Sequence, residues 1–188
     1  MLPDGRMSLT RPSDPQWRET DAGFRRWEKS AELGRGEDVW RWASREVLRW
    51  GIKTRSGFTV TPGDGVTAGD GVTAGDGVTA GDGVTAGDRP VIMAHPFGLA
   101  VREPVEVVEV VETSDRVGFA YRTLPGHPVS GEEAFIVHRQ EDAVILTVRS
   151  LTRPSPRGAW RAAYPALLVA QRVARRRYFR ALRVRAPR

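Results

Sequence analysis

The spacing of apolar residues changes character along this chain, and the changes mark its elements. Val39, Trp40, Ala43, Val47 and Trp50 recur at steps of three and four, which places them on one face of a helix. Gly51 is expected to end that helix in the left-handed conformation. A strand is expected before it, over Phe24 to Leu33, with poor alternation, and Gly34, Gly36 and Asp38 break the pattern. Gly57 to Thr61 reads as a short strand closed by Pro62. From Pro90 the period becomes two. Candidate strands are Val91–Ala94, Ala100–Val111, Arg116–Thr123, Glu132–Arg139 and Ala143–Leu151, punctuated by Gly126, Gly131 and Asp142. Connections this short imply antiparallel neighbours. From Pro165 to about Leu182 the period returns to that of a helix. Leu167, Leu168, Ala170, Val173, Ala174, Tyr178, Ala181 and Leu182 form its apolar side, with Arg172, Arg176, Arg180 and Arg183 opposite.

The alternation in one strand slips. Val105 and Val107 flank Glu106, but Val108 and Val110 then flank Glu109. A β-bulge would do this and bend the strand, so that the sheet can wrap around something. Burial of the stretch on both faces would give the same pattern.

The expected fold class is α+β: a curved antiparallel β-sheet packed against a long C-terminal helix, with a shorter helix near the N-terminus. Residues 1–22 read as an irregular lead-in holding Pro3, Pro12 and Pro15, residues 23–184 as one domain, and residues 185–188 as a basic tail. Within the domain, GDGVTA occurs four times from Gly63 to Ala86, and Gly87-Asp88 starts a fifth copy. Six-residue periods occur in β-helices, but four glycine-rich copies bury too little apolar surface to stand alone. Asp64, Asp70, Asp76 and Asp82 do not match the nine-residue calcium repeat. Residues 63–88 are expected to be a mobile loop inserted between two strands of a hairpin.

Composition excludes several function classes. The 188 residues include no cysteine, so disulfides, thiolate zinc sites and a cysteine nucleophile are ruled out. No apolar run approaches the roughly 20 residues of a membrane span, and residues 1–10 lack a signal-peptide core. A cytoplasmic location is expected. Of 29 basic residues only Lys29 and Lys53 are lysine. The formal net charge of +6 is uneven, since Arg153 to Arg188 holds 11 arginines and no acid, whereas the residues before it carry 18 bases against 23 acids. The exposed arginines of the last helix, Arg172, Arg176, Arg180 and Arg183, are candidates for an anionic surface, and a solvated face explains them equally. No nucleic-acid motif or stacking platform accompanies them, so a nucleic-acid partner is not expected.

Candidate chemistry clusters in Leu124-Pro125-Gly126-His127-Pro128 and the following Glu132-Glu133. A histidine beside carboxylates can do general acid–base work; a rigid hairpin loop whose amides those carboxylates accept is the structural alternative. Phe119, Tyr121, Phe135 and Val137 alternate on neighbouring strands, which is either an ordinary core or an apolar pocket with Tyr121 or Glu133 as polar anchor. His95, His127 and His138 show no metal-ligand spacing, so no metal and no cofactor are expected. GRGED, Gly34 to Asp38, lacks the lysine-serine tail of a phosphate loop.

The order of elements resembles the helix-grip fold of the START and pollen-allergen-like superfamily. Two segments are more specific: LGRGEDVWRWASREVLRWGIKTRSGF, Leu33 to Phe58, and VGFAYRTLPGHPVSGEEAFIV, Val117 to Val137. With Pro165, Gln171, Arg177-Tyr178 and Leu182 they resemble the domain-of-unknown-function family numbered nineteen-ninety over most of residues 24–184, through the motif GFAY-TLPGHP-SGEEAF. Arg122 stands where the family has glycine and Trp40 where it has phenylalanine, and the GDGVTA array is foreign to it. A role needing bare backbone at position 122 therefore does not carry over, and the family brings no established activity. What the resemblance implies is a cavity between sheet and C-terminal helix that takes a small apolar or lipid-like molecule. The ligand-binding candidates are Phe119, Tyr121, Arg122, His127, Glu132, Glu133 and Phe135. An enzyme using His127, Glu132, Glu133 or Tyr121 in that cavity is one alternative, and a scaffold docking through its arginine helix is another. Nothing in the sequence speaks to oligomeric state.

Overall fold

The computed structural model describes residues 8–18, 23–62, 83–95, 100–155 and 159–183. The expected mobile loop falls mostly on GDGVTA copies outside these residues. The strands are β1 (Arg25–Arg35), β2 (Thr59–Thr61), β3 (Val91–Ala94), β4 (Val101–Glu112), β5 (Arg116–Thr123), β6 (Val129–Gln140) and β7 (Ala143–Pro154). They form one antiparallel sheet in the order β1-β7-β6-β5-β4-β3-β2. Helices α1 (Glu37–Val47) and α2 (Gly51–Thr54) follow β1, and α3 (Ala159–Ala162) and α4 (Tyr164–Ala181) follow β7. This is the expected α+β arrangement of a curved antiparallel sheet, a long C-terminal helix and a short N-terminal one. β2 and β3 flank the repeat array and pair with each other, Thr59 opposite Met93 and Thr61 opposite Val91.

The slip in β4 is a bulge: its register against β5 shifts between Val107 and Glu109. The stretch is buried on both faces as well, because Val105, Glu106, Val107 and Val108 are all under 9% exposed. Both readings of the pattern hold together. The last repeat copy is put to structural use. Val84 is buried in the main core, its amide donates to the Leu48 carbonyl at 2.8 Å, and the Gly87 amide donates to the Val107 carbonyl at 2.8 Å.

The end of the first helix differs from expectation. Regular helix stops at Val47, and Trp50 rather than Gly51 takes the left-handed conformation, with φ of 58°. Gly51 begins α2 and answers a different need, since a Cβ there would stand 2.6 Å from the Glu46 carbonyl oxygen. Burial explains the exchange. Trp50 is 6% exposed and sets its ring edge-on to Phe119, centroids 4.6 Å apart, an aromatic contact of about 1 kcal/mol beyond area burial that offsets the backbone strain.

The main core lies between the sheet and the helices. Its aromatic heart is Trp50, Phe119, Tyr121, Phe135 and Tyr178. Helix α4 reaches this core through its C-terminal half, with Tyr178 buried and Ala174 and Phe179 packed beside it, followed by the buried Leu182. Its N-terminal half is looser, leaving Val169 57% and Val173 46% exposed. The opposite face of the sheet carries a smaller apolar patch of Val108, Ala120, Ala134 and Ile136. Residues 8–18, without helix or strand, form a strap hydrogen-bonded to that face.

Candidate functional site

Period two decides which candidates meet. On β5 and β6, Phe119, Tyr121, Glu133 and Phe135 share the face turned to the helices, with Tyr121 directly opposite Glu133 and Phe119 opposite Phe135. The next parity belongs to Arg122 and Glu132, also paired across the strands, and their side chains go to the other face. The structure therefore divides the seven ligand candidates between two faces.

On the helix side a charged group is closed inside the aromatic core. The Lys53 ammonium, on α2, donates to Glu133 Oε2 at 3.2 Å and to the Tyr178 hydroxyl at 2.7 Å. The Tyr121 hydroxyl donates to the same Glu133 Oε2 at 2.5 Å. The ammonium also lies about 5 Å from the ring centres of Phe58, Tyr121 and Tyr178, and 5.5 Å from that of Phe135, within cation–π range. Lys53 is 2% exposed. Burial opposes its charge, but the oxygens of Tyr121, Tyr178, Glu133 and Glu103 outweigh burial and hold it above the ordinary lysine range. Burial likewise opposes the charge on Glu133, and the Lys53 charge with the Tyr121 hydrogen bond wins, so its carboxyl sits below the usual range. Burial pushes both phenols up. At neutral pH the site thus holds an ammonium, a carboxylate and two neutral phenols.

Three further groups border it. Burial pushes the Glu103 carboxyl up, Lys53 opposing and Glu133 adding to the rise. His127 sits in the β5–β6 turn, where its Nδ1 accepts the Val129 amide at 3.1 Å. Burial, with the Lys53 charge, pulls the imidazole down to about 4, so it is neutral near pH 7. Arg175 of α4 stacks on Trp27 at 4.1 Å and donates to the Ser150 hydroxyl at 3.1 Å. Its Nε and the Oε1 of Gln171, one turn earlier, are buried polar atoms without a hydrogen-bond partner among the described residues. Such atoms are uncommon in folded proteins and call for a partner.

On the opposite face Glu132 is held by the strap. It accepts hydrogen bonds from the Ser8 hydroxyl at 2.6 Å, the Leu9 amide at 3.1 Å, the Thr10 amide at 2.8 Å and the Thr10 hydroxyl at 2.5 Å. Arg149, 1% exposed, clamps the same segment by donating to the carbonyls of Thr10, Arg11 and Pro15 and to Glu28. Arg122 is bonded to Glu106, which also takes Arg89. Arg172, Arg176, Arg180 and Arg183 all stand in solvent. Among the described residues no three His, Asp or Glu side chains are grouped to hold a metal, and no helix is long and apolar enough to cross a membrane.

Lys53, Tyr178, Glu103, Gln171 and Arg175 were not among the sequence candidates. Lys53 carried a signal, as one of two lysines among 29 basic residues. Tyr178 entered on the apolar side of the last helix and in the family pattern, and Gln171 only through the family pattern.

A family model described as Domain of unknown function (DUF1990) matches residues 10–181. The chain belongs to that family. The DUF1990 assignment is joined by a curated relative, a UPF0548 protein of Deinococcus radiodurans, 42% identical over 77 residues. That match takes in 40% of this chain and only 38% of the relative's length. Among solved structures, the hypothetical protein jhp0584 of Helicobacter pylori is similar with a TM-score of 0.52 at 13% identity, over 85% of each chain. Ara h 8.0201 is similar with a TM-score of 0.51 at 10% identity, over 86% of this chain and 96% of its own. At such identities the likeness is one of fold alone.

Proposed function

We propose that the domain binds a small, largely apolar molecule between the sheet and α4, and that the molecule carries a polar group which meets the Lys53–Glu133–Tyr121–Tyr178 cluster. The observation that carries this reading is the burial of a full ion pair among aromatic rings. Such a pair is weak support for a fold, because apolar residues of similar volume usually serve stability as well or better. Groups whose protonation is shifted by burial and by a specific charge partner mark candidate functional sites. The partnerless Gln171 Oε1 and Arg175 Nε on the inner side of α4, and the loose N-terminal half of that helix, support the same location. The fold likeness to Ara h 8.0201 is consistent with it.

Native mass spectrometry of gently purified protein tests the reading. A discrete excess mass on the folded species, absent after denaturation and absent from a Lys53→Met variant that still folds, is the expected result. Bare protein mass, together with unchanged amide spectra when fatty acids and aromatic acids are added, would overturn it.

A second reading, catalysis in the same place, draws on one observation. Glu133 as a carboxylate, neutral His127 and the phenols of Tyr121 and Tyr178 supply a base and acids around one point. It differs from simple binding in requiring that an excess mass be chemically altered on incubation.

A further inference from the structure

The strap covers only part of the sheet's other face. Beside it lies a half-open cleft of about 400 Å³, within the range of small-molecule sites, roughly 300–1,000 Å³. Its apolar wall is Leu9 from the strap, Phe24 from the segment before β1, and Val108. The bulge explains Val108: it belongs to the outer apolar patch, while its neighbour Glu109 bonds Ser13 of the strap on the same side. The polar wall is Arg122, Thr123, Ser130 and Arg153, with Glu132 at the strap.

The charged groups of the cleft are not all paired. Glu106 is shared by two guanidiniums, Arg89 at 3.0 Å and Arg122 at 2.5 Å. Glu132 is served by neutral hydroxyls and amides of Ser8, Leu9 and Thr10. Arg153 lies with its guanidinium 4.6 Å from the Phe24 ring centre and is paired with no carboxylate among the described residues. Arg122 is thus taken by Glu106 and Glu132 by the strap, which leaves Arg153 as the lining guanidinium with no carboxylate partner among the described residues. Thr123 adds a donor, because its hydroxyl oxygen already accepts the Gly131 amide at 3.0 Å and its proton is left to give.

We infer that this cleft is a second binding site, separate from the one under α4, and that it takes a small carboxylate with an apolar body. The carboxylate meets Arg153, with the Thr123 and Ser130 hydroxyls beside it, and the body lies against Phe24, Val108 and Leu9. An arginine stacked on an aromatic ring suits this task, since stacking fixes the guanidinium plane while its edge stays open for paired hydrogen bonds. The inference does not depend on the proposed ligand of the helix side.

The test is an amide-resolved NMR titration of the full chain with phenylacetate, run beside its cationic counterpart phenethylamine. Saturable shifts at Leu9, Ser130, Gly131 and Arg153 with phenylacetate, and none with phenethylamine, are expected. Arg153→Gln, a change at an exposed position, is expected to weaken binding about tenfold or more, as loss of a charge-assisted hydrogen bond does. Arg45→Gln, which removes the same charge at an exposed position of α1, is expected to leave the affinity unchanged. Equal binding of the amine, shifts that map to Lys53 and Tyr178 instead, an unaffected Arg153→Gln variant, or no saturation at millimolar ligand would each overturn the inference. Only the second of these would also bear on the helix-side proposal, which it would favour.

Discussion

Breaking the buried ion pair one side at a time should harm the protein far more than removing it whole. Lys53→Met takes away the ammonium and leaves Glu133, at 15% side-chain exposure, with the Tyr121 hydroxyl as its one remaining side-chain hydrogen bond. Glu133→Gln leaves the ammonium, at 3% exposure, facing the Tyr178 hydroxyl and an amide. An uncompensated buried charge costs about 3–5 kcal/mol. For a domain of this size each kcal/mol shifts Tm by about 2–4 °C, so Lys53→Met should lower Tm by about 6–20 °C. The double variant Lys53→Met/Glu133→Leu removes both charges and replaces them with volume. It should regain most of that loss, and can exceed the parent by about 1–4 kcal/mol. Urea unfolding followed by tryptophan fluorescence suits the assay, because Trp50 packs on both Phe119 and Tyr121. The coupling energy of the cycle is the quantity of interest. A double variant as unstable as the two single variants added together, with coupling near zero, would refute the reasoning: removing both charges would then relieve nothing, and the burial of the pair would lose its value as a sign of function.

Three other outcomes follow from the same geometry. Because the His127 pKa is about 4 in the fold against 6.5 for the free side chain, its contribution is complete above pH 6.5 and is lost as pH falls towards 4; wild-type protein should lose about 2 kcal/mol more than His127→Asn between pH 7.5 and pH 5, and parallel stability curves would exclude this. Glu132→Gln should cost about 2–3 kcal/mol and remove hydrogen-exchange protection from the Leu9 and Thr10 amides; persistent protection there would show that Glu132 does not hold the strap. Val84→Ala should cost about 1–2 kcal/mol in chemical denaturation if the last repeat copy is fixed in the core as its contacts indicate, and a change within error would remove that role.

How much of this was legible follows from which signals are local. The elements were, because period two and period three-to-four are carried by neighbours in sequence: Arg116–Thr123 and Val91–Ala94 are strands with the expected bounds. The β4 bulge was legible for the same reason. The division of the site was legible too, but only by parity. Tyr121 and Glu133 are odd-numbered on directly opposed strands and Arg122 and Glu132 even-numbered, so adjacency in sequence sets them on opposite faces. What could not be read is anything that tertiary placement decides. The left-handed turn moved to Trp50 because the core claims its ring. Glu132 lost its apparent partnership with His127 because a strap more than 120 residues away in sequence supplies four donors to it. Gln171 and Arg175 look like surface residues of a basic helix until the turn they occupy is seen to face the sheet.

Lysine at position 53 gives the strongest tie between composition and site. This chain uses arginine for 27 of its 29 basic residues, so a lysine in the middle of the core is a departure from its own habit. The geometry explains the departure. The ammonium is a compact charge with three donors; two reach Glu133 and Tyr178 while aromatic faces surround it. A guanidinium is planar with five donors and cannot pair them all within that space, leaving buried donors unmet. The position therefore calls for a point charge rather than for any base, as recognition of a small polar group does. Gln171 Oε1 and Arg175 Nε, one turn apart on α4, are buried and unmatched among the described residues. A buried ion pair serves stability poorly, and that is the reason for proposing a bound molecule beside it.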